Sequence, residues 1–418
     1  MLKFGVFVIL LVVAEGAQLR RYDNYKVFRV TPKNQEQSDL LKHLSQVAEY
    51  SFWDGPHFTN ISSDVMVPPS KLLDFERLMK ITEIPHEVHI DNVQSLMDQE
   101  NPMFNKIVRA GVNWRTYNTL DEIYSWMDSL TKAYPDKVQV MSPGKTYEGR
   151  EIKGVRLSFK KGNPGIFIEG NIHAREWITS ATVTYILNQL LTSQDPEVRE
   201  LAEANDWYIF PVFNPDGFVY THTKDRLWRK TRKPYSHLCY GSDPNRNWGY
   251  KWMQGGASSF PCAETYAGSA AFSEIETDTM SKYITSISNN VYAYIAFHSY
   301  SQLLLFPYGH TTEHLDNHDQ LLDIGQKTIQ ALAKRYGTQY VTGNIAETIY
   351  VASGSSMDWV KGTFKIPITY TYELRDKGRY GFLLPPSQII PTGEETLDSL
   401  VGLFKAAKTY GIPKRTTV

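Results

Sequence analysis

A histidine and a glutamate three residues apart, His173 and Glu176 in His-Ala-Arg-Glu-Trp, and a distant second histidine, His298 in Phe-His-Ser-Tyr, are the side chains best suited to chemistry. Two imidazoles and one carboxylate are a ligand set for a catalytic zinc ion, filling three tetrahedral positions and leaving the fourth for water or substrate. Such a metal makes hydroxide available near neutral pH and polarises a carbonyl, which is what amide hydrolysis needs. The short spacing lets one turn carry two ligands, and the third must come from a separate element. Alone, a His-x-x-Glu pair is most often a solvated surface turn. Three further clusters change its weight: Arg-Leu-Trp-Arg-Lys-Thr-Arg over 226–232, Asp-Pro-Asn-Arg-Asn-Trp over 243–248 and Thr-Tyr-Glu-Leu-Arg-Asp over 371–376.

The elements that must position these groups read as one long α/β domain from about residue 110. Thr119-Leu-Asp-Glu122 is a capping box that opens a helix through Lys132. Residues 138–141, 152–159 and 165–168 read as strands, the last delivering His173 into a loop, and 177–191 reads as a helix. Apolar runs at 207–213, 291–297 and 366–372 suit buried central strands. His173, His298 and Glu373 then lie just past the carboxyl ends of strands, where open α/β sheets place their ligand crevices.

Ahead of this domain, residues 25–90 alternate strand and helix signals. Strand patterns at 25–30, 51–53, 65–67 and 87–90 enclose helical spacings at Leu40, Leu41, Leu44 and Val47 and at Leu72, Phe75 and Met79. The order β-α-β-β-α-β predicts a small ferredoxin-like α+β unit, with Val88 and Ile90 alternating with Glu87 and His89 in its last strand and His86 and His89 as plain surface residues. A polar helical stretch over 91–109 follows. Residues 1–16 combine Lys3, a short apolar run and small residues near Gly16, which is a secretory signal pattern too short to span a bilayer.

In order along the chain, His-Ala-Arg-Glu-Trp, Asp-Pro-Asn-Arg-Asn-Trp, His-Ser-Tyr-Ser-Gln and Tyr-Glu-Leu-Arg-Asp resemble the motifs of the digestive A/B family of zinc metallocarboxypeptidases, which are made as secreted precursors. The resemblance covers nearly the whole chain after the signal. It implies a signal peptide over 1–16, an activation prosegment with its connecting helix over 17–109, and a catalytic domain over 110–418 with a mixed central sheet flanked by helices. A trypsin-like protease would release the enzyme at Arg109, or alternatively Arg115. By the same resemblance one Zn²⁺ per chain is held by His173, Glu176 and His298, with Asp243 fixing His173. Glu373 is the general base and Arg229 the cation beside the developing oxyanion. Asn245 and Arg246 bind the free carboxylate of a peptide or protein C-terminus, Tyr350 closes over it and Arg175 assists. Arg226–Arg232 otherwise reads as a basic surface loop, with Lys230 and Arg232 solvated.

Specificity rests on the residue beneath that carboxylate clamp. The family's basic-specific branch carries an acid there, whereas the matched position here is Met357, with Ile345, Gly309 and Thr371 at other pocket positions. An apolar floor makes Lys or Arg costly to desolvate, so release of aliphatic or aromatic residues is expected. Asp358 would invert that reading if it pointed inward instead. A B-type enzyme and a catalytically silent peptide binder are the alternatives.

The two cysteines, Cys239 and Cys262, are expected to form one disulfide in an oxidising compartment, two free buried thiols being the alternative. Asn60 begins the single glycosylation sequon. With a net charge of -1 and no long charged run, nothing points to nucleic acid or an anionic membrane as partner. A secreted monomer active in protein digestion is the expectation, and His222, His237, His310, His314 and His318 are assigned structural roles.

Overall fold

The computed structural model describes residues 19–47, 49–100 and 111–413. The expected signal segment and the preferred cut at Arg109 lie outside them. No helix among the described residues is long and apolar enough to cross a membrane.

The N-terminal unit runs β1 (Lys26–Val30), α1 (Gln35–Leu44), β2 (Ser51–Asp54), β3 (Ser63–Val67), α2 (Leu72–Ile81) and β4 (His86–Ile90). Its four strands pair antiparallel in the order β2-β3-β1-β4, the ferredoxin-like arrangement expected. Helix α1 starts where the Asn34 side chain accepts from the Gln37 N–H at 2.9 Å. It buries Leu41 and Leu44, and α2 buries Phe75 and Met79; these meet Phe28, Val30, Val65 and Val67 in one core. In β4, an edge strand, Val88 is exposed while Ile90 is buried. His89 is not a plain surface residue, since its Nε2 is enclosed beside Gly378 of the larger domain. Helix α3 (Val93–Glu100) forms the described part of the connecting helix.

The larger domain adds α4 (Leu120–Ala133), β5 (Val138–Lys145), β6 (Glu151–Leu157), β7 (Gly165–Glu169), α5 (Trp177–Thr192), α6 (Pro196–Glu203), β8 (Asp206–Phe210) and α7 (Pro215–Thr223). It continues with α8 (Ile275–Ile287), β9 (Val291–Ser299), β10 (Leu303–Phe306), α9 (His318–Tyr336), β11 (Val341–Asn344), α10 (Ile345–Thr348), α11 (Ser356–Phe364), β12 (Ile368–Leu374) and α12 (Ile389–Thr409). The capping box at Thr119 and Glu122 is formed as read. Eight strands lie in the order β11-β10-β12-β9-β7-β8-β6-β5. The central β12, β9, β7 and β8 are mutually parallel, and antiparallel pairs flank them.

Strand alternation divides the apolar residues between two cores. Ile166, Ile168, Ile295 and Phe297 face one side with α4, α5, α9 and α12, whereas Phe167, Tyr294 and Ala296 face α8 and α11. Helix α5 has no polar face: twelve of its sixteen residues are buried, which fits a helix clasped between the sheet and α12. A further cluster joins the two units, placing Tyr22, Val27, Trp53, Met66 and Val93 against Leu227, Tyr300, Phe382 and Leu383.

Candidate active site

The chain leaves β7 and turns sharply at Asn171, whose φ of 51° is left-handed. Its side-chain amide donates to the carbonyls of His173, Ala174 and Glu176 at 3.1–3.3 Å. Thr179 completes the turn, accepting from the Asn171 N–H at 2.8 Å and donating to the Glu176 carbonyl at 2.8 Å. One amide and one hydroxyl thus shape the loop that carries both near-sequence donors.

The distant donors come from the neighbouring strands. β9 carries His298 one residue before its end, and in the parallel pairing with β12 His298 lies opposite Glu373. Because side chains alternate along a strand, that register puts both on one face of the sheet.

His173 Nδ1 stands 2.8 Å from Glu176 Oε1, His298 Nδ1 3.2 Å from Glu176 Oε2, and the two Nδ1 atoms 3.2 Å apart. All three residues are buried. Burial opposes ionisation of Glu176, but the two imidazoles hold its carboxyl well below the usual carboxylate range. Two ring nitrogens and a carboxylate converging on one point are a donor set that Zn²⁺ completes, so the residues fit the metal. The second nitrogen of His173, Nε2, lies 3.1 Å from Asp243 Oδ1, which leaves Nδ1 to ligate. Asp243 Oδ2 accepts from Arg229 Nη2 at 2.8 Å and Nε at 3.2 Å, and Arg229 Nη1 is 3.9 Å from Glu176. One buried carboxylate therefore orients both a ligand and the cation beside it.

Glu373, Arg229, Asn245, Arg246, Tyr350, Met357, Ile345 and Arg175 all line the same cleft as the three donors. Burial, with Glu176 and Asp54 nearby, pushes the Glu373 carboxyl up to about 8. Arg246 is buried, its Nε donating to the Gly256 carbonyl and its Nη1 to the Asn245 carbonyl, both at 2.9 Å. Gly354 allows this: a Cβ there would meet the Arg246 carbonyl oxygen at 2.4 Å. Asn245 Oδ1 accepts from the Ser356 N–H at 3.0 Å, tying Asn245 to the start of α11. Arg175 is buried over the Phe382 ring and reaches Glu264 at 3.3 Å.

Met357 is 2% exposed and stands on the cleft wall with Ile345 and Thr371. Asp358 instead accepts from the Gly309 and His310 N–H groups at 2.8 and 3.0 Å and meets His310 Nδ1 at 2.7 Å. The same contacts give Gly309 its place, as a backbone donor to Asp358.

The structure corrects two readings of the basic string. Lys230 is buried, its ammonium donating to the Pro261 carbonyl at 2.8 Å, and Arg232 stacks on Tyr220 and Trp228. A long cation beside aromatic neighbours lays its apolar stem and planar head on them instead of in water. Cys239 and Cys262 are joined as a disulfide.

Sequence reasoning missed the residues of the N-terminal unit that reach the cleft. Trp53, Asp54, Gly55 and Pro56 line it, Trp53 packs on Phe382, and the His57 ring lies 5.6 Å from that of Tyr350. The turn signal of Trp-Asp-Gly-Pro-His was visible, but nothing local says what a turn faces. Also missed was Glu100 of α3, buried in a two-bond ion pair with Arg226 at 2.6 and 2.5 Å.

An α/β sheet with a His-Glu-His donor set at the carboxyl ends of its parallel strands defines a zinc-dependent hydrolase. The chain belongs to the zinc carboxypeptidase family, whose profile matches residues 123–399, and residues 28–100 match the carboxypeptidase activation peptide, so the protein is a zymogen. It is 49% identical over 401 residues to zinc carboxypeptidase A 1 of Anopheles gambiae, covering 95% of this chain and 93% of that one. It is 45% identical over 294 residues to carboxypeptidase B of Astacus astacus, covering 69% and 96%. The crystal structure of carboxypeptidase A from Helicoverpa armigera superposes with a TM-score of 0.86 at 29% identity, covering 94% of this chain and 99% of that one.

Proposed function

We propose that this zymogen is secreted and, once its prosegment is removed, releases aliphatic or aromatic residues from peptide C-termini in protein digestion. The observation that carries the specificity is the buried Met357 on the cleft wall, with Asp358 consumed by the Gly309–His310 backbone. A relative named carboxypeptidase B shows that membership alone leaves the side-chain preference open, and the pocket lining favours the apolar choice.

In this reading His173, Glu176 and His298 hold Zn²⁺, which when bound acidifies water and polarises the scissile carbonyl. Arg246 and Asn245 bind the terminal carboxylate, a task suited to a planar guanidinium, and Tyr350 closes over it with help from Arg175. Glu373 takes a proton from the attacking water and passes it to the departing amine nitrogen. His298 and Arg229 nearby favour the ionised carboxylate that this role requires. Arg229, held in place by Asp243, faces the oxygen on which negative charge develops. Residues 17–109 form the prosegment and 110–418 the enzyme, with activation by a trypsin-like protease at Arg109 or at the exposed Arg115.

The test is hydrolysis of matched peptides ending in Phe or Arg by trypsin-treated protein, with and without a zinc chelator. Fast, chelator-sensitive loss of Phe alone is expected. Loss of Arg alone refutes the apolar pocket, and loss of neither from folded, zinc-loaded protein refutes catalysis.

A further inference from the structure

A second cluster of nitrogen and oxygen donors stands outside the cleft. His314 lies in the loop ahead of α9, His318 is the first residue of α9, and Glu347 belongs to α10. Their donor atoms all lie within 4.8 Å of one another. His314 Nε2 is 3.1 Å from Glu347 Oε1, and the rings of His314 and His318 stack with centroids 3.6 Å apart and planes 4° from parallel. His318 Nδ1 lies 3.0 Å from Asp319 Oδ1, while the ring rests edge-on against Phe306.

We propose that His314, His318 and Glu347 form a second metal site, selective for a borderline cation such as Zn²⁺, Ni²⁺ or Cu²⁺. Two imidazoles and a carboxylate suit these ions, whereas Ca²⁺ and Mg²⁺ call for oxygen donors. Asp319 gives His318 the outer partner that metal-binding histidines use, fixing its Nδ1 and leaving Nε2 to ligate. His314 and Glu347 are about half exposed, so an ion can enter. His314 must turn its ring out of the stack to aim a lone pair at the ion, and that exposure allows the rotation. Competing charge is turned elsewhere: the Lys361 ammonium donates to Asn317 Oδ1 at 2.7 Å and faces Asp316. An ion here ties the start of α9 to α10, the short helix that begins at Ile345 and ends two residues before Tyr350.

The experiment uses untagged full-length protein holding one equivalent of Zn²⁺, titrated calorimetrically with Ni²⁺ and, separately, followed by electron paramagnetic resonance with Cu²⁺. A second equivalent of Ni²⁺, nitrogen coupling on the Cu²⁺ signal, and loss of both in the His314→Ala variant are expected. Asp319→Asn should weaken the second equivalent by about 10-fold or more. His314→Ala and Glu347→Gln are preferred to substitution of His318, which packs on Phe306; their retention of the first zinc reports an intact fold. No second equivalent in the parent protein overturns the proposal, as does one that persists in both variants.

Discussion

The floor of the cleft is built from sheet register: His298 and Glu373 share a position on adjacent parallel strands, and Asn171 and Asp243 fix the remaining donors through buried hydrogen bonds. The roof comes from the N-terminal unit and rests on side-chain packing: the apolar cluster around Trp53 and Phe382, His57 against Ile349 and Tyr350, and Glu100 with Arg226. The floor has no way to rearrange without breaking strands, whereas the roof is held by side-chain contacts and can separate without breaking a strand pair. A precursor that must keep a finished site and yet stay silent needs both kinds of construction.

Substitutions on the floor should change chemistry and leave docking alone. Glu373→Gln should lower kcat of the activated enzyme by up to about 10⁴-fold, the upper range for a general base, with zinc content unchanged by metal analysis. Arg229→Ala should cost about 10²- to 10³-fold in kcat, as for loss of one oxyanion donor; an effect on KM alone would move Arg229 from the reaction to binding.

A substitution on the roof should do the reverse. Glu100→Ala leaves Arg226 buried without its carboxylate and should weaken docking by about 3 kcal/mol, the low end for breaking a buried pair. It is read as higher peptidase activity of the uncut precursor with unchanged kcat after activation. Unchanged precursor activity would mean that the apolar cluster around Trp53 and Phe382 holds the unit in place without this ion pair.

The pocket gives a third contrast. Met357→Asp should move preference toward C-terminal Lys or Arg by about 30-fold in kcat/KM, the low end for a desolvated charge pair.

The smallest effect concerns pH. Both His57 ring nitrogens face acceptors, Asp54 Oδ1 at 2.7 Å and the Ile349 carbonyl at 3.1 Å, so the fully bonded state is the cation. Burial opposes that charge, but Asp54 and the carbonyl raise its pKa above 6.5. A raised pKa contributes stability that is complete below the unfolded value and is lost as pH rises through the folded one. The unfolding free energy of the precursor should therefore fall as pH rises from about 6 to above neutrality, measured by denaturant titration at a series of pH values. A His57→Gln variant should lose that part of the slope.

Most of the floor was legible in the sequence because its signals are local: His-x-x-Glu in one turn, apolar runs that name the central strands, and acid or imidazole at their ends. Met357 was placed by the family resemblance, and in the structure it sits one residue into a helix that Ser355 caps. The roof was not legible. Trp53 read as the end of a small strand, and Glu100 as one more polar residue on a helix, since their partners lie far along the chain. Lys230 and Arg232 failed likewise, charge suggesting solvent where aromatic neighbours and a carbonyl supply the environment.

The opposition of His298 and Glu373 across β9 and β12 has a consequence for biosynthesis. A slip of one residue between these strands would turn the proposed base to the far side of the sheet and carry Thr369 and Thr371 into the apolar core that Tyr370, Tyr372 and Leu374 fill. The register that packs the core is thus the register that aims the carboxylate, and a chain that buries these side chains in frame has its proposed base in place.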